Sequence, residues 1–467
     1  MFKSQTTRVF MYLYLLPTTG PFSFSDFCGH DNSYVRHIAR STQLRANLRS
    51  ALKQAKHTDG DKDYLSLIKI LDEYIPDLRA VMTCVTQGEI QLEKQPQFSW
   101  SSALSSAVLN TSSRPSYPSL HAEYAFTLLT YGFTLSNFAR SIVASLGTFE
   151  QDRTISQTDR EAKDEQLKHA TNLLTRASSI FNYVSETVLV DWENFLKHID
   201  SNPVKKPPDL SRDVIAALAK LALGDAQGLA IRKLLSKAAF DSNVSPGPPL
   251  PKSHPAPGLI AKLHLECASQ YAGARALAKT ASAASDLSSD VSPDLRHYLS
   301  GEAAFHAALG RKWLAIDAGE KGGADRAGDV VGLMTWAKKD LQDLKDGGKS
   351  GGVSGITAGE KERKERGLRK ERVSKELESV GVWLKHYRKM NDTLHFQSVP
   401  SQPDLQSRIP TGILAISVVP FTPPLPAFGP DSLEYMQRRA DYRDPNLDSK
   451  DPKQKSDTTY AGAGDYF

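Results

Sequence analysis

Lys389-Met390-Asn391-Asp392-Thr393-Leu394-His395-Phe396-Gln397-Ser398-Val399-Pro400 divides this chain into two kinds of sequence. Upstream, apolar residues recur at helical spacing over more than two hundred residues. Downstream, Pro410, Pro420, Pro423, Pro424, Pro426 and Pro430 stop the helical pattern, because proline lacks the amide that a helix interior needs. The stretch therefore closes the last long helix. Asn391 and Asp392 read as structural residues that cap or brace that helix. An extended proline-rich strap follows, then a polar tail to Phe467 with little core-forming content.

The helices upstream are legible one by one. Leu167, Ala170, Leu174, Ala177, Phe181, Val184 and Val188 alternate spacings of three and four, which lays one apolar stripe along residues 164–189. Val330, Met334, Ala337, Leu341 and Leu344 do the same for residues 330–344, and Ile260, Leu263, Cys267, Ala274 and Leu277 for residues 260–277. Tyr124–Leu135 is apolar nearly all round, so this helix belongs in the middle of a bundle, with Gly132 permitting close helix approach. Ser211 is placed as an N-cap, Leu210 and Ile215 as a hydrophobic staple, and Asp209 as a charge at the positive helix end. Strand-like alternation is scarce; Phe22, Phe24 and Phe27 suggest a short extended start. Successive helices with short connections predict an all-α chain of stacked antiparallel hairpins, resembling a TPR-type solenoid. Residues 201–208 and 241–257 read as proline-rich loops, and residues 346–360 as a flexible glycine- and serine-rich segment.

Composition is that of an ordinary globular protein: 467 residues, 40% hydrophobic, 24% charged and a net charge of +5. No segment reads as the run of about 18 apolar residues that spans a bilayer. Cys28, Cys84 and Cys267 are odd in number and widely spaced, which argues against a disulfide framework and favours a reducing compartment. Lys3 and Arg8 before Val9–Leu16 resemble a signal peptide, but Pro17-Thr18-Thr19-Gly20 offers no small-residue cleavage site. The alternatives are an N-terminal extension or a first buried strand. The chain is expected to be cytoplasmic and not secreted, in which case the sequons at Asn110, Asn243 and Asn391 carry no glycan.

Catalytic and metal signatures are missing from the sequence. There is no HExxH, GxSxG or GxGxxG, and Asp343 stands where a phosphate-binding loop ending at Lys349-Ser350 needs its first glycine. The Asp164-Glu165 pair opens a helix, where carboxylates serve the helix dipole. Cys267 lies on an apolar stripe as an inert thiol. We therefore assign no catalytic residues, no cofactor and no metal. In the basic run 361–372, glutamates interleave the lysines and arginines, so it reads as a solvated helical arm. Weak attraction to an anionic membrane surface is the alternative; without interleaved aromatics the run does not suggest nucleic acid.

Five segments in the same order resemble BRO domains, the helical scaffold of ALIX-type adaptors. They are His121–Ala139, Leu167–Tyr183, Asp209–Gln227, Leu259–Leu263 and the closing stretch 389–400. The resemblance covers residues 16–425 and implies an elongated, boomerang-shaped helical bundle with a TPR-like core and minor β-structure at the N-terminus. Within the family the likeness is to fungal PalC proteins, through Leu16–Ser25 and Asp72–Pro76. The length leaves no room for the V-shaped coiled-coil domain of ALIX. Residues 1–15 depart from the pattern and are expected to be an added extension or gene-model artefact. Residues 346–372 are expected to form a flexible basic insertion, and residues 426–467 a mostly disordered tail.

The resemblance implies a non-catalytic adaptor. It would bind the amphipathic C-terminal helix of the core ESCRT-III filament subunit and act with other components of the alkaline-pH pathway, which ends in proteolytic activation of the PacC transcription factor. It implies peripheral recruitment to the plasma membrane or endosome. The family's docking patch falls on Leu229, Ala230, Ile231, Leu259 and Leu263, with Asp164 as an acidic rim position. An aromatic is common where this chain has Ala230; its loss removes about 2–3 kcal/mol of anchor burial and leaves Ile231 as the candidate replacement.

Overall fold

A helix with no polar face has to be enclosed, and every residue from Ala122 to Asn137 is buried. The computed structural model describes residues 11–29, 33–57, 62–105, 114–198, 206–242, 247–283, 291–347 and 360–441. The α-helices run in sequence: α1 Val35–His57, α2 Tyr64–Thr86, α3 Leu120–Leu146, α4 Gln157–Tyr183, α5 Leu189–Lys197, α6 Arg212–Ser242, α7 Pro257–Ala283, α8 Pro293–Lys321, α9 Ala327–Gly347 and α10 Glu360–Met390. Each long helix packs antiparallel on its neighbour, except that the short α5 continues α4 through a π turn at Val184–Val188. Two short helices, α11 Gln402–Ser407 and α12 Leu433–Asp441, lie in the segment after the bundle. Strands β1 Gln97–Ser99 and β2 Ser116–Pro118 form one antiparallel pair with Phe98 opposite Tyr117. Phe98 packs on Phe22, 4.2 Å between ring centres, so the aromatic start joins the minor sheet.

Gly132 of α3 faces Phe181 of α4, and a Cβ there would sit 2.4 Å from the Phe181 ring. The glycine thus costs helix propensity and permits the α3–α4 contact at the centre of the bundle. Beside it, Glu123 of α3 is fully buried. It accepts from Arg45 Nε at 2.8 Å, Tyr74 Oη at 3.0 Å and Trp100 Nε1 at 2.6 Å. Arg45 also donates to Glu123 Oε2 at 3.2 Å, to Gly20 O and to Thr19 Oγ1. One carboxylate therefore joins α1, α2, α3 and Trp100, which follows β1, and through Arg45 the N-terminal segment.

The structure departs from the sequence reading in several places. Met11 and Tyr14 are only 2% and 3% exposed, and Tyr14 exchanges two backbone hydrogen bonds with the Asn137 side chain, so packing begins before residue 16. The segment is buried as the first-strand alternative expects, but residues 11–18 form no strand; Tyr14 packs on Phe133 and Phe181. Residues 360–372 are the first turns of α10, not part of a flexible insertion. Arg372 turns inward to Glu302 at 2.9 Å and lies 3.8 Å over the Phe305 ring. Beyond residue 425, Phe428 is buried and stacked on His37, and α12 follows. Residues 348–359, residues 442–467 and the sequons at Asn110 and Asn243 lie outside the described residues. Asp209 does more than sit at a helix end: buried beneath the 102–105 loop, it accepts from Ala103 N at 2.8 Å and from Ser102 Oγ. By composition, Arg212–Phe240 within α6 is long and apolar enough to cross a membrane, but 72% of that window is buried against the other helices.

Replacing Glu123 by alanine leaves the Arg45 guanidinium buried without its counter-charge and is expected to destabilise the fold by about 3–5 kcal/mol in urea denaturation. Gly132→Ala is expected to cost about 1–3 kcal/mol despite alanine's better helix propensity, because Phe181 has to move.

Candidate docking surface

Gln227 of α6 is buried, and its amide bonds both Leu263 O of α7, at 3.4 Å, and the segment that follows the bundle. Its Nε2 donates to Ile413 O at 2.8 Å, and its Oε1 accepts from Ala415 N at 2.9 Å. Ile413 N donates in turn to Lys262 O of α7 at 3.2 Å. Gly412 lies against the Glu266 backbone so closely that a Cβ would come within 2.5 Å. The strap is thus seated in the seam between α6 and α7. It continues past Tyr183, whose ring lies 5.4 Å from Phe421. It ends on α2, where Ala427 N donates to Pro76 O at 3.1 Å and Arg79 donates to Pro424 O.

Gln227 and Lys262 define which face of each helix looks toward the strap. Three and seven residues on from Gln227 stand Ala230, partly exposed, and Leu234, 40% exposed; three residues before Lys262 stands Leu259, 42% exposed. Ile413 and Leu414 of the strap expose 44% and 39%. Ala230, Leu234 and Leu259, with the strap's Ile413 and Leu414, therefore extend one apolar surface toward the C-terminal end of α6 and the N-terminal end of α7.

The candidate patch divides on this geometry. Leu259 and Ala230 are on the surface. Leu229, Ile231 and Leu263 are 0%, 3% and 2% exposed and belong to the core, a correction that follows from the helical period: one residue either side of Ala230 points into the bundle. Ile231 therefore cannot stand in for a missing aromatic. Asp164 of α4 is half-buried and accepts from Ser236 Oγ at 3.1 Å, with burial raising its carboxyl above the ordinary range. It braces α4 on α6, while its neighbour Glu165 is exposed and pairs with Lys233 at 3.2 Å. Leu234 and the strap residues were missed. Leu234 follows Ala230 by one turn and could have been found; nothing local reveals where the strap returns.

Beneath this surface lies a charged layer between α6, α7, α8 and α10. Asp225 Oδ1 accepts from Tyr271 Oη and Tyr298 Oη, both at 2.6 Å. His264 Nδ1 meets His306 Nδ1 at 2.9 Å, so one ring must donate and the other accept, a match for two neutral rings. Arg372 pairs with Glu302, and Lys312 with Glu376 at 2.8 Å. Burial pushes the Asp225 carboxyl up to about 7 against its hydrogen bonds, lowers His264 to about 3, and holds His306 well below the ordinary imidazole range. Burial also raises the Cys267 thiol, leaving it protonated. Among the described residues no group of three or more His, Cys, Asp or Glu is placed to hold a metal.

A BRO1-like domain model matches residues 25–439. The chain belongs to the BRO1-like domain family. The pH-response regulator protein palC of Cryptococcus neoformans var. neoformans serotype D (strain B-3501A) is 33% identical over 98% of this chain and 99% of its own length. The palC of Emericella nidulans is 25% identical over 91% and 90% respectively. Among solved structures, the ALIX BRO1–CHMP4C complex superposes with a TM-score of 0.54 at 16% identity, covering 89% of this chain and 96% of that one. A Bro1 domain studied for endosomal targeting superposes with a TM-score of 0.53 at 17% identity, covering 88% and 93%. These likenesses establish the BRO1 fold.

The charged layer contributes to the pH response of the fold. Asp225 favours the protonated folded state, so it removes stability as pH rises from about 4 to about 7. The histidines are held neutral, so their contribution is present above about 6.5 and lost as pH falls toward 3. Within this layer the carboxyl and the histidines therefore act in opposite directions as pH falls. Asp225→Asn keeps the acceptor for both tyrosines and is expected to raise stability at pH 7.5 by roughly 2–4 kcal/mol and to steepen the loss below pH 6, read by denaturation across pH.

Proposed function

We propose that this chain is a non-catalytic adaptor of ambient-pH signalling that docks an amphipathic helix of the core ESCRT-III filament subunit beside its strap. The observation that carries the proposal is the apolar surface of Ala230, Leu234, Leu259, Ile413 and Leu414, laid over two adjacent helices on a BRO1 fold. An amphipathic helix buries its stripe on such a surface, and rim charges such as Glu165 and Lys233 orient it. Near-complete coverage of relatives named pH-response regulators supports the pathway, and an ALIX BRO1 domain solved with CHMP4C supports the class of partner. In this reading the chain is cytoplasmic, is recruited peripherally to the plasma membrane or endosome, and helps assemble the complex that processes the PacC-type transcription factor.

Titration of the full chain with the subunit's C-terminal helix tests this. Leu234→Asp with Leu259→Asp is expected to weaken binding at least tenfold while the helical circular dichroism is kept. Unchanged affinity would assign the surface to another partner. Leu263→Asp is no substitute: burying that carboxylate is expected to unfold the protein, by several kcal/mol.

A further inference from the structure

At the far end of α10 the helix widens into a π turn, Asn391–His395, and stops at Phe396 with φ +52°. A bulky side chain in the left-handed region is uncommon and strained, and persists only where the surroundings impose it. Here Asn391 imposes it. Its buried side chain donates to Gln397 O at 2.9 Å and accepts from Gln397 N at 3.0 Å, while Phe396 N donates to Asn391 O at 2.7 Å. The clamp also leaves no free amide for a glycan at Asn391. It holds out two apolar side chains: Leu394 is 62% exposed and Phe396 76%. Nothing in the fold is gained by displaying them.

Beside this turn lies an open depression of about 460 Å³ between α9 and α10, lined by Lys338, Lys385, Arg388 and Lys389, with Asp392 as its one carboxylate. Among the described residues none of these four cations has an ion-pair partner. The two features adjoin, since the lining of the depression runs along α10 through Lys385, Arg388, Lys389 and Asp392 to Thr393, the residue before Leu394.

We propose that this end of the molecule is a membrane-contact site: the four cations take anionic lipid headgroups, and Leu394 and Phe396 insert at the boundary of the acyl region. Charge complementarity favours an anionic partner. The protruding, rigidly held apolar pair favours a bilayer over an acidic peptide, because projecting side chains need a partner that yields, whereas a peptide would need a groove. The cations are mostly lysines around an open depression, which suits diffuse attraction to a charged surface more than a chelated single anion. The site differs from the basic run 361–372, whose Arg372 is buried against Glu302.

The test is co-sedimentation of the full chain with phosphatidylcholine vesicles, with and without about 30% phosphatidylserine, in low and high salt. Binding is expected only to the anionic vesicles and should weaken with salt. Lys385→Glu with Arg388→Glu should weaken it about thirtyfold or more, at about fivefold per charge removed. Phe396→Gly should lower vesicle partition about tenfold while the melting temperature does not fall, since glycine accepts the backbone conformation. A purely structural phenylalanine would behave the opposite way. Neutralising Lys361, Arg363 and Lys364 should leave binding intact. The proposal fails if wild-type protein ignores anionic vesicles, if the Lys385/Arg388 or Phe396 variants bind as well as wild type, if the 361–364 variant alone abolishes binding, or if polyglutamate is bound and vesicles are not.

Discussion

A single buried ion pair holds the N-terminal half in register. Glu123 and Arg45 are both within 1% of complete burial, and each is surrounded by donors or acceptors drawn from a different element. A charge so far from water is tolerable only when its partners are all present, so the pair acts less as a source of stability than as a condition on the arrangement. α1, α2, α3, Trp100 after β1 and the N-terminal segment have to meet at the Glu123–Arg45 pair together or not at all. α3 is thereby fixed, and α4, α6 and α7 stack upon it in turn. The face that α6 offers to solvent is decided at that buried carboxylate.

The second half uses the same logic with a more mixed vocabulary. Asp225, the two tyrosines above it, the histidine pair and the Arg372–Glu302 and Lys312–Glu376 pairs form a polar layer where α8 and α10 lie against α6 and α7. Directly above this layer Gln227 spends its amide on the backbone of the strap. Core polarity and surface recognition are two residues apart on one helix. The apolar surface exists because Ala230 and Leu234 continue the stripe that Gln227 begins.

Helix identity was legible because periodicity is local: the stripes at 164–189, 260–277 and 330–344 all became helices, and the apolar run at 124–135 became the central one. The family resemblance, too, was carried by local segments. The docking patch was legible only in part. Leu229, Ala230 and Ile231 are adjacent in sequence, but only the middle one reaches the surface, and the phase of α6 is set by α4 and α7, not by its own residues. The inward turn of Arg372 could not be read from 361–372 either, since its partner Glu302 is seventy residues away. Tyr14 was misplaced because its partners, Asn137 and Phe133, lie on a helix more than a hundred residues further on.

The strap joins parts of the chain that are far apart in sequence: Pro424 meets Arg79 and Asp431 meets Gln87, separations of 345 and 344 residues. Contacts of that span carry a large loop-closure cost and form late. During synthesis the helices can therefore stack while residues 412–428 are still unmade, with the seam between α6 and α7 uncovered and Gln227 bonded to water. The strap is laid down after the bundle, and its arrival converts an open seam into the finished surface. The order in which the ribosome delivers the chain keeps that surface from being completed before the bundle beneath it is built.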